Sequence, residues 1–447
     1  MYIKRHIDNE LLAWKNSTTR KPLLLRGARQ VGKSSSVREL AKSFENFVEI
    51  NFEHKDYAPA KDIFARHSSP QLICDELSAI FGVKIIAGKT LLFLDEIQSC
   101  TDAISALRYF YEEIPELHVV AAGSLLEFAL QQIPSFGVGR IRSLWMYPLS
   151  FDEFLRAIKL NVLAENLSKA RPESDFSEVM HKKCVENFKR FLLIGGMPEV
   201  VAAYSEGGSL LDCQQILDDL TNTLYDDFAK YKDKVPVSRL REVFNAVILQ
   251  TGKKFVLSNV QELNNLQIKE CLELLEMAGL IYPVTHTAAN GLPLGAEVNA
   301  KFRKFMLFDT GIYQRYLRLD LSKILNTNNF DNITKGALAE LFVALELKKA
   351  APINLPTDLY YWRREKDGSS AEVDFLIQRG EDIVPLEVKS ATKGSMQSMF
   401  LFLKEKNLKY GIRSSLENFG TFDNIQIYPL YAVSNIVKNN DLWEHKR

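Results

Sequence analysis

One octapeptide constrains this chain more than any other feature. Gly27-Ala28-Arg29-Gln30-Val31-Gly32-Lys33-Ser34 fits the pattern G-x-x-x-x-G-K-[ST]. It follows the apolar run Pro22-Leu23-Leu24-Leu25 and opens an amphipathic stretch, which predicts strand, tight loop and helix in that order. The glycines let successive backbone N–H groups turn inward, and the helix start adds its partial positive charge. Such a cradle takes phosphate. The stretch from Gly27 to Ser35 is therefore expected to bind ATP, with Lys33 neutralising the β- and γ-phosphates and the Ser34 hydroxyl on Mg²⁺.

Leu91-Leu92-Phe93-Leu94 is a second apolar strand, and it ends in Asp95-Glu96. Alone, such a pair is best read as a helix cap. Beside a phosphate loop, Asp95 is expected to hold Mg²⁺ and Glu96 to polarise an attacking water. Ser124 ends the next strand, His118 to Ser124, where it can cap a helix or reach the γ-phosphate. Arg140, in Gly137-Val138-Gly139-Arg140, is a candidate arginine finger or sensor; a surface arginine is the plainer reading. With Phe47 to Phe52, these runs are continuous rather than alternating, as in a parallel sheet covered by helices on both faces.

At 447 residues the chain is too long for one ordinary domain. Four segments are expected: an α/β nucleotide-binding domain over 1–150, a helical segment over 151–235, a winged-helix-like domain over 236–300 and a second α/β domain over 301–447. The helical segment opens at Ser150 with Glu153 three residues on, a capping-box pattern, and breaks at Gly195-Gly196-Met197-Pro198. Lys plus Arg and Asp plus Glu number 56 each, so the charge balance excludes a tail-driven polyanion binder while leaving room for a local basic groove. Five scattered cysteines without a C-x-x-C pair argue against a disulfide framework or zinc knuckle, and the seven histidines form no ligand pattern. The amino terminus is not patterned as a signal peptide, and no run approaches the ~18–20 apolar residues of a membrane helix. The chain reads as soluble and cytoplasmic, with no membrane partner.

Arg26 to Ser34, Leu94-Asp95-Glu96-Ile97-Gln98, Gly123-Ser124-Leu125-Leu126 and Tyr147 to Phe154 together resemble a prokaryotic branch of AAA-type P-loop ATPases. Gly195-Gly196-Met197-Pro198-Glu199 matches a further motif of that group. The resemblance implies an ATPase domain, then helical and winged-helix-like parts, then a carboxy-terminal domain of unknown function.

In the last third, Leu359 to Trp362, Glu372 to Ile377 and Ile383 to Lys389 read as strands, with a hairpin turn at Gly380-Glu381-Asp382. Asp374 lies on the second strand. Glu387 and Lys389 share a face of the third, because side chains alternate along a strand. An inward Asp beside Glu and Lys can build a Mg²⁺ site, held by Asp374 and Glu387, next to a water-activating lysine. The arrangement resembles the PD-(D/E)xK fold of restriction-endonuclease-like domains, which implies a further acidic residue on the preceding helix, here Glu340, and a polar residue after the lysine, here Gln397. Two charges on an exposed strand face are the plainer alternative. Trp362-Arg363-Arg364 can stack on a base and contact phosphate, or be a buried tryptophan with solvated arginines. The expectation is an ATPase switch coupled to a nuclease-like module that acts on DNA or a bound protein, with self-association left open. The alternative is a nucleotide-gated interaction protein whose carboxy-terminal domain is catalytically inactive.

Overall fold

The computed structural model describes residues 2–124, 126–132, 139–231, 234–319, 325, 336–365, 371–390 and 396–438. They fold into two compact units.

The first unit comprises Met1–Pro148 with the short stretches Met277–Gly279 and Ile353–Pro356. Its sheet contains β1 (Leu23–Arg26), β2 (Asn46–Asn51), β3 (Thr90–Asp95), β4 (His118–Ala122) and β5 (Arg142–Trp145). They lie in the order β2-β3-β4-β1-β5, and every pairing is parallel. The continuous apolar runs predicted this: all of β3 and β4 is buried, whereas the edge strands β2 and β5 alternate. Leu24, Ile50, Leu92 and Leu94 meet helix residues such as Ile73, Leu77 and Phe110 in the core. β5 is too short to announce itself in the sequence. The Trp145 N–H on this edge strand is satisfied by the Ile353 carbonyl at 2.8 Å. Because the strands run parallel, the carboxyl ends of β1, β3 and β4 share one rim, where open α/β sheets bind ligands.

The second unit joins Leu149–Glu276, Leu280–Pro352 and Thr357–Arg447. Five helices come first: Phe151–Ala157, Asn161–Lys169, Glu178–Ile194, Pro198–Ser205 and Leu210–Asp227. Ser150 and Glu153 form the capping box that their spacing suggested. Phe151, Phe154, Phe188, Phe191 and Phe342 pack with ring centroids 4.8–6.4 Å apart. The break at Gly195-Gly196 is a packing contact. Asp309 caps the helix Thr310–Tyr316 by accepting from the Ile312 N–H, and its other oxygen accepts from the Gly196 N–H at 2.6 Å. A Cβ on Gly195 would stand 2.2 Å from that carboxylate, so no larger residue fits there.

An eight-stranded mixed sheet completes this unit. Its strands are β6 (Ile281–Thr287), β7 (Val298–Leu307), β8 (Leu359–Arg363), β9 (Glu372–Arg379), β10 (Asp382–Val388), β11 (Gly411–Ser415), β12 (Gly420–Phe422) and β13 (Ile425–Pro429). The order is β12-β13-β11-β10-β9-β8-β6-β7. The helices Val237–Gln250 and Asn265–Met277 precede the β6–β7 hairpin. That hairpin also extends the carboxy-terminal sheet, since β6 pairs in parallel with β8. The helix Ala337–Ala350 carries Glu340 on its first turn. All five cysteines are buried free thiols.

Candidate functional sites

The loop after β1 has the backbone its glycines require. Gly27 and Gly32 have φ of 135° and 100°, and Gln30 also adopts a positive φ of 62°. A Cβ on Gly27 would lie 2.1 Å from the Met146 carbonyl oxygen. Gly32 opens the helix Lys33–Ala41 without any side-chain cap, which leaves first-turn N–H groups to face a phosphate. Lys33 donates to the carbonyls of Gly27 at 2.8 Å and Ala28 at 2.7 Å. Burial lowers its pKa to about 8, against the upward pull of Glu96 and Asp95.

Ser34 Oγ donates to Asp95 Oδ2 at 2.9 Å, which joins the loop to the tip of β3. Burial raises the Asp95 pKa, and the Ser34 hydrogen bond opposes that rise. Glu96 follows with φ of 48°, a left-handed conformation that a non-glycine residue adopts at some cost. Gln98 Nε2 donates to Glu96 Oε2 at 2.6 Å, and a Cβ on Gly123 would meet the Gln98 carboxamide oxygen at 2.1 Å. Ser124 accepts from Arg29 Nε at 3.1 Å, and Arg29 also pairs with Glu53 at 3.5 Å. Arg140 instead pairs with Glu112 on the helix Thr101–Glu113; Gly137 and Val138 before it lie outside the described residues.

Three participants escaped the sequence reading as individual side chains. Gln98 stood inside a quoted motif without a role, and its position two residues beyond Glu96 was the available signal. Arg29 counted only as loop backbone. The buried Arg5 guanidinium donates to the carbonyls of Val31 at 3.0 Å and Tyr147 at 2.8 Å, and nothing in the local sequence around Arg5 points to the loop.

A second cluster lies in the other unit. The β9–β10 register pairs Phe375 with Leu386, so one step further Asp374 stands opposite Glu387. The Val388 N–H donates to Asp374 Oδ2 at 2.7 Å, and Lys389 Nζ donates to Glu387 Oε1 at 2.7 Å. Glu372 shares the Asp374 face by alternation. Its carboxylate takes the Lys304 ammonium at 2.6 Å, and Glu340 takes the same ammonium at 3.3 Å. Lys304, on β7, is 1% exposed. Burial alone would lower its pKa, but Glu340, Glu372 and Asp374 more than reverse that, so it titrates above the usual lysine range. Burial raises Glu340 to about 8 despite the neighbouring Lys304, and raises Asp374 as well. Glu387 is pushed up to about 7 by burial and then by the Asp374 charge. Glu387 Oε2 is buried without a hydrogen-bond partner. Among the described residues no three His, Cys, Asp or Glu side chains are grouped to hold a metal ion. Glu340, Asp374, Glu387 and Lys389 thus share a neighbourhood with Lys304, which bonds Glu340 and Glu372 and was absent from the sequence reading.

Residues 19–155 match an AAA domain family. This segment is the five-stranded parallel sheet with its phosphate loop. It is an AAA-type P-loop ATPase domain. Residues 185–323 match a domain of unknown function, DUF8612, and residues 335–433 match another, DUF4143. No curated protein matches the chain. Among solved structures, the Walker-type ATPase of Pyrococcus abyssi is similar over 71% of this chain and 96% of its own, at 16% identity and a TM-score of 0.46. The Orc1 protein of Aeropyrum pernix, solved in complex with DNA, is similar over 71% and 93%, at 11% identity and a TM-score of 0.29. A signal-transduction ATPase with a tetratricopeptide repeat sensor from Pyrococcus horikoshii is similar over 79% and 47%, at 14% identity and a TM-score of 0.26.

The ATPase domain brings a buried ammonium, a hydroxyl and two carboxylates to one rim. Lys33 is held by carbonyls that a bound phosphate can replace as partners. Among the described residues no helix is long and apolar enough to cross a membrane.

Proposed function

We propose that this chain is a Mg²⁺-dependent ATP-hydrolysing switch whose ATPase domain controls the second unit and its action on DNA or a protein partner. The observation that carries the reading is the 2.9 Å bond from Ser34 to Asp95 at the mouth of the glycine loop, with Lys33 alongside. Hydroxyl and carboxylate oxygens at that separation suit Mg²⁺, which Ser34 and Asp95 would hold and which would neutralise phosphate charge when bound. Backbone from Gly27 to Ser35 binds the phosphates, and Lys33 leaves its carbonyl partners to join them. Glu96 accepts a proton from the attacking water, with its carboxylate oriented by Gln98. Ser124, bonded to Arg29, is a further polar group at the rim. Arg140 would have to leave Glu112 to act as a finger. Coupling is supported by chain connectivity. Met277–Gly279, the link between the helix Asn265–Met277 and β6, belongs to the first unit, where a Cβ on Gly279 would meet the Ala28 backbone nitrogen at 3.2 Å.

For the carboxy-terminal module, the Asp374–Glu387 pairing with Lys389 supports a nuclease-like arrangement. The second reading, binding without cleavage, is favoured by the buried Lys304 among those carboxylates. ATP turnover measured with and without DNA tests the switch. Turnover that needs Glu96 and responds to DNA fits the proposal, and no turnover under either condition contradicts it.

A further inference from the structure

Nuclease-like sites of the kind just considered use a divalent ion held by strand carboxylates, and the fit of this site to such an ion can be judged from its own residues. Glu340 and Glu372 both direct a carboxylate oxygen at Lys304 Nζ, at 3.3 Å and 2.6 Å. Asp374 commits Oδ2 to the Val388 N–H. Glu387 Oε1 is engaged by Lys389. Among the described carboxylates of the cluster, Glu387 Oε2 is the one fully buried oxygen without a hydrogen-bond partner. Mg²⁺ requires near-octahedral oxygens at ~2.0–2.1 Å, and an ammonium drawing on the same oxygens both blocks that geometry and repels a second cation. No group of three metal-ligating side chains occurs among the described residues. The residues do not fit a divalent ion.

We infer that Lys304 is the resident cation of the carboxy-terminal cluster: its ammonium takes the charge-neutralising place among Glu340, Glu372 and Asp374, so that the centre excludes divalent metal and works as a metal-independent binding site. The identity of the side chain supports this. A lysine that is 1% exposed has lost its hydration, and a solvated strand lysine would gain nothing from burial without such partners. Its placement on β7, at the far edge of the sheet from β10, means that this cation enters from the hairpin and is not part of the Glu387–Lys389 motif. The Tyr361 ring covers it at 5.1 Å, a second contact selective for a cation.

The inference rests on the second reading of this cluster, binding without cleavage, and not on the ATPase assignment. It is tested by titrating Mn²⁺ into the nucleotide-free full chain, its Asp374→Asn variant, and Lys304→Met alone and combined with Asp374→Asn. The parent and Asp374→Asn are expected to take up Mn²⁺ identically. Lys304→Met is expected to gain one Mn²⁺ equivalent that the double variant loses, and Mn²⁺ should raise the Tm of Lys304→Met while leaving that of the parent unchanged. Parent Mn²⁺ uptake that Asp374→Asn removes would overturn the inference, whether or not Lys304→Met folds. So would a cooperatively melting Lys304→Met that gains no ion. ATP affinity measured on the same samples separates the two readings, since its absence would contradict the switch and leave the cation result standing.

Discussion

Lys33 illustrates how one buried side chain sets a measurable pH response. Burial holds its pKa near 8, so the unfolded chain binds this proton more tightly; its contribution to stability is present above the ordinary value of 10.5 and is lost as pH falls through about 8. Phosphate binding works the other way, because it favours the charged form. ATP affinity should therefore fall as pH rises above about 8, by up to about tenfold per pH unit. Lys33→Arg, charged throughout, should flatten that profile, and a parent affinity constant from pH 7 to 9.5 would contradict the assignment. Glu96→Gln should retain ATP while turnover falls by ~10²–10⁴-fold, as a steady-state phosphate-release assay would read. Undiminished turnover would shift the water-activating role to another rim residue, Ser124 first. The elements that carry the glycine loop, Asp95, Glu96, Asp374 and Glu387 were legible because each is a short stretch whose local geometry is predictable. Lys304 and Arg5 were not, because their partners are set by packing between distant segments.

At the scale of elements, the Gly195-Gly196 break and the helix Thr310–Tyr316 depend on one carboxylate. Asp309 is 1% exposed and satisfies the N–H groups of Gly196 and Ile312. Asp309→Ala leaves both buried donors unpaired and should cost about 2–4 kcal/mol, read as a lower urea midpoint for the second unit. A loss within ~0.5 kcal/mol would mean that other groups take over the cap. Gly27→Ala tests the loop in the same way. Its Cβ meets the Met146 carbonyl at 2.1 Å and the residue has φ of 135°, so strain of at least ~1–3 kcal/mol and loss of ATP binding are expected. Calorimetry showing parental affinity in a folded Gly27→Ala would refute that. Strands β1, β3 and β4 were readable because burial makes a run continuously apolar. The pairing of β6 with β7, and their place at the edge of the second sheet, were not readable. The pairing of β6 with β8 joins Val284 to Leu359 across the intervening helices, and no local pattern encodes that register.

The whole molecule combines an AAA-type P-loop domain in one unit with a carboxylate–lysine cluster in the other. The match of residues 19–155 to an AAA domain family and the parallel sheet agree on the first. The centre around Lys304 gives the second unit chemistry of its own, which need not include cleavage. Everything proposed about switching depends on ATP entering the loop between Gly27 and Ser35. Calorimetric titration of ATP with Mg²⁺ into the full chain and into Lys33→Ala tests this most directly. The parent should bind saturably and Lys33→Ala at least about tenfold more weakly, one charge-assisted contact being worth ~1.5–3 kcal/mol. Equal affinity in the two proteins, or no binding by the parent, would contradict it.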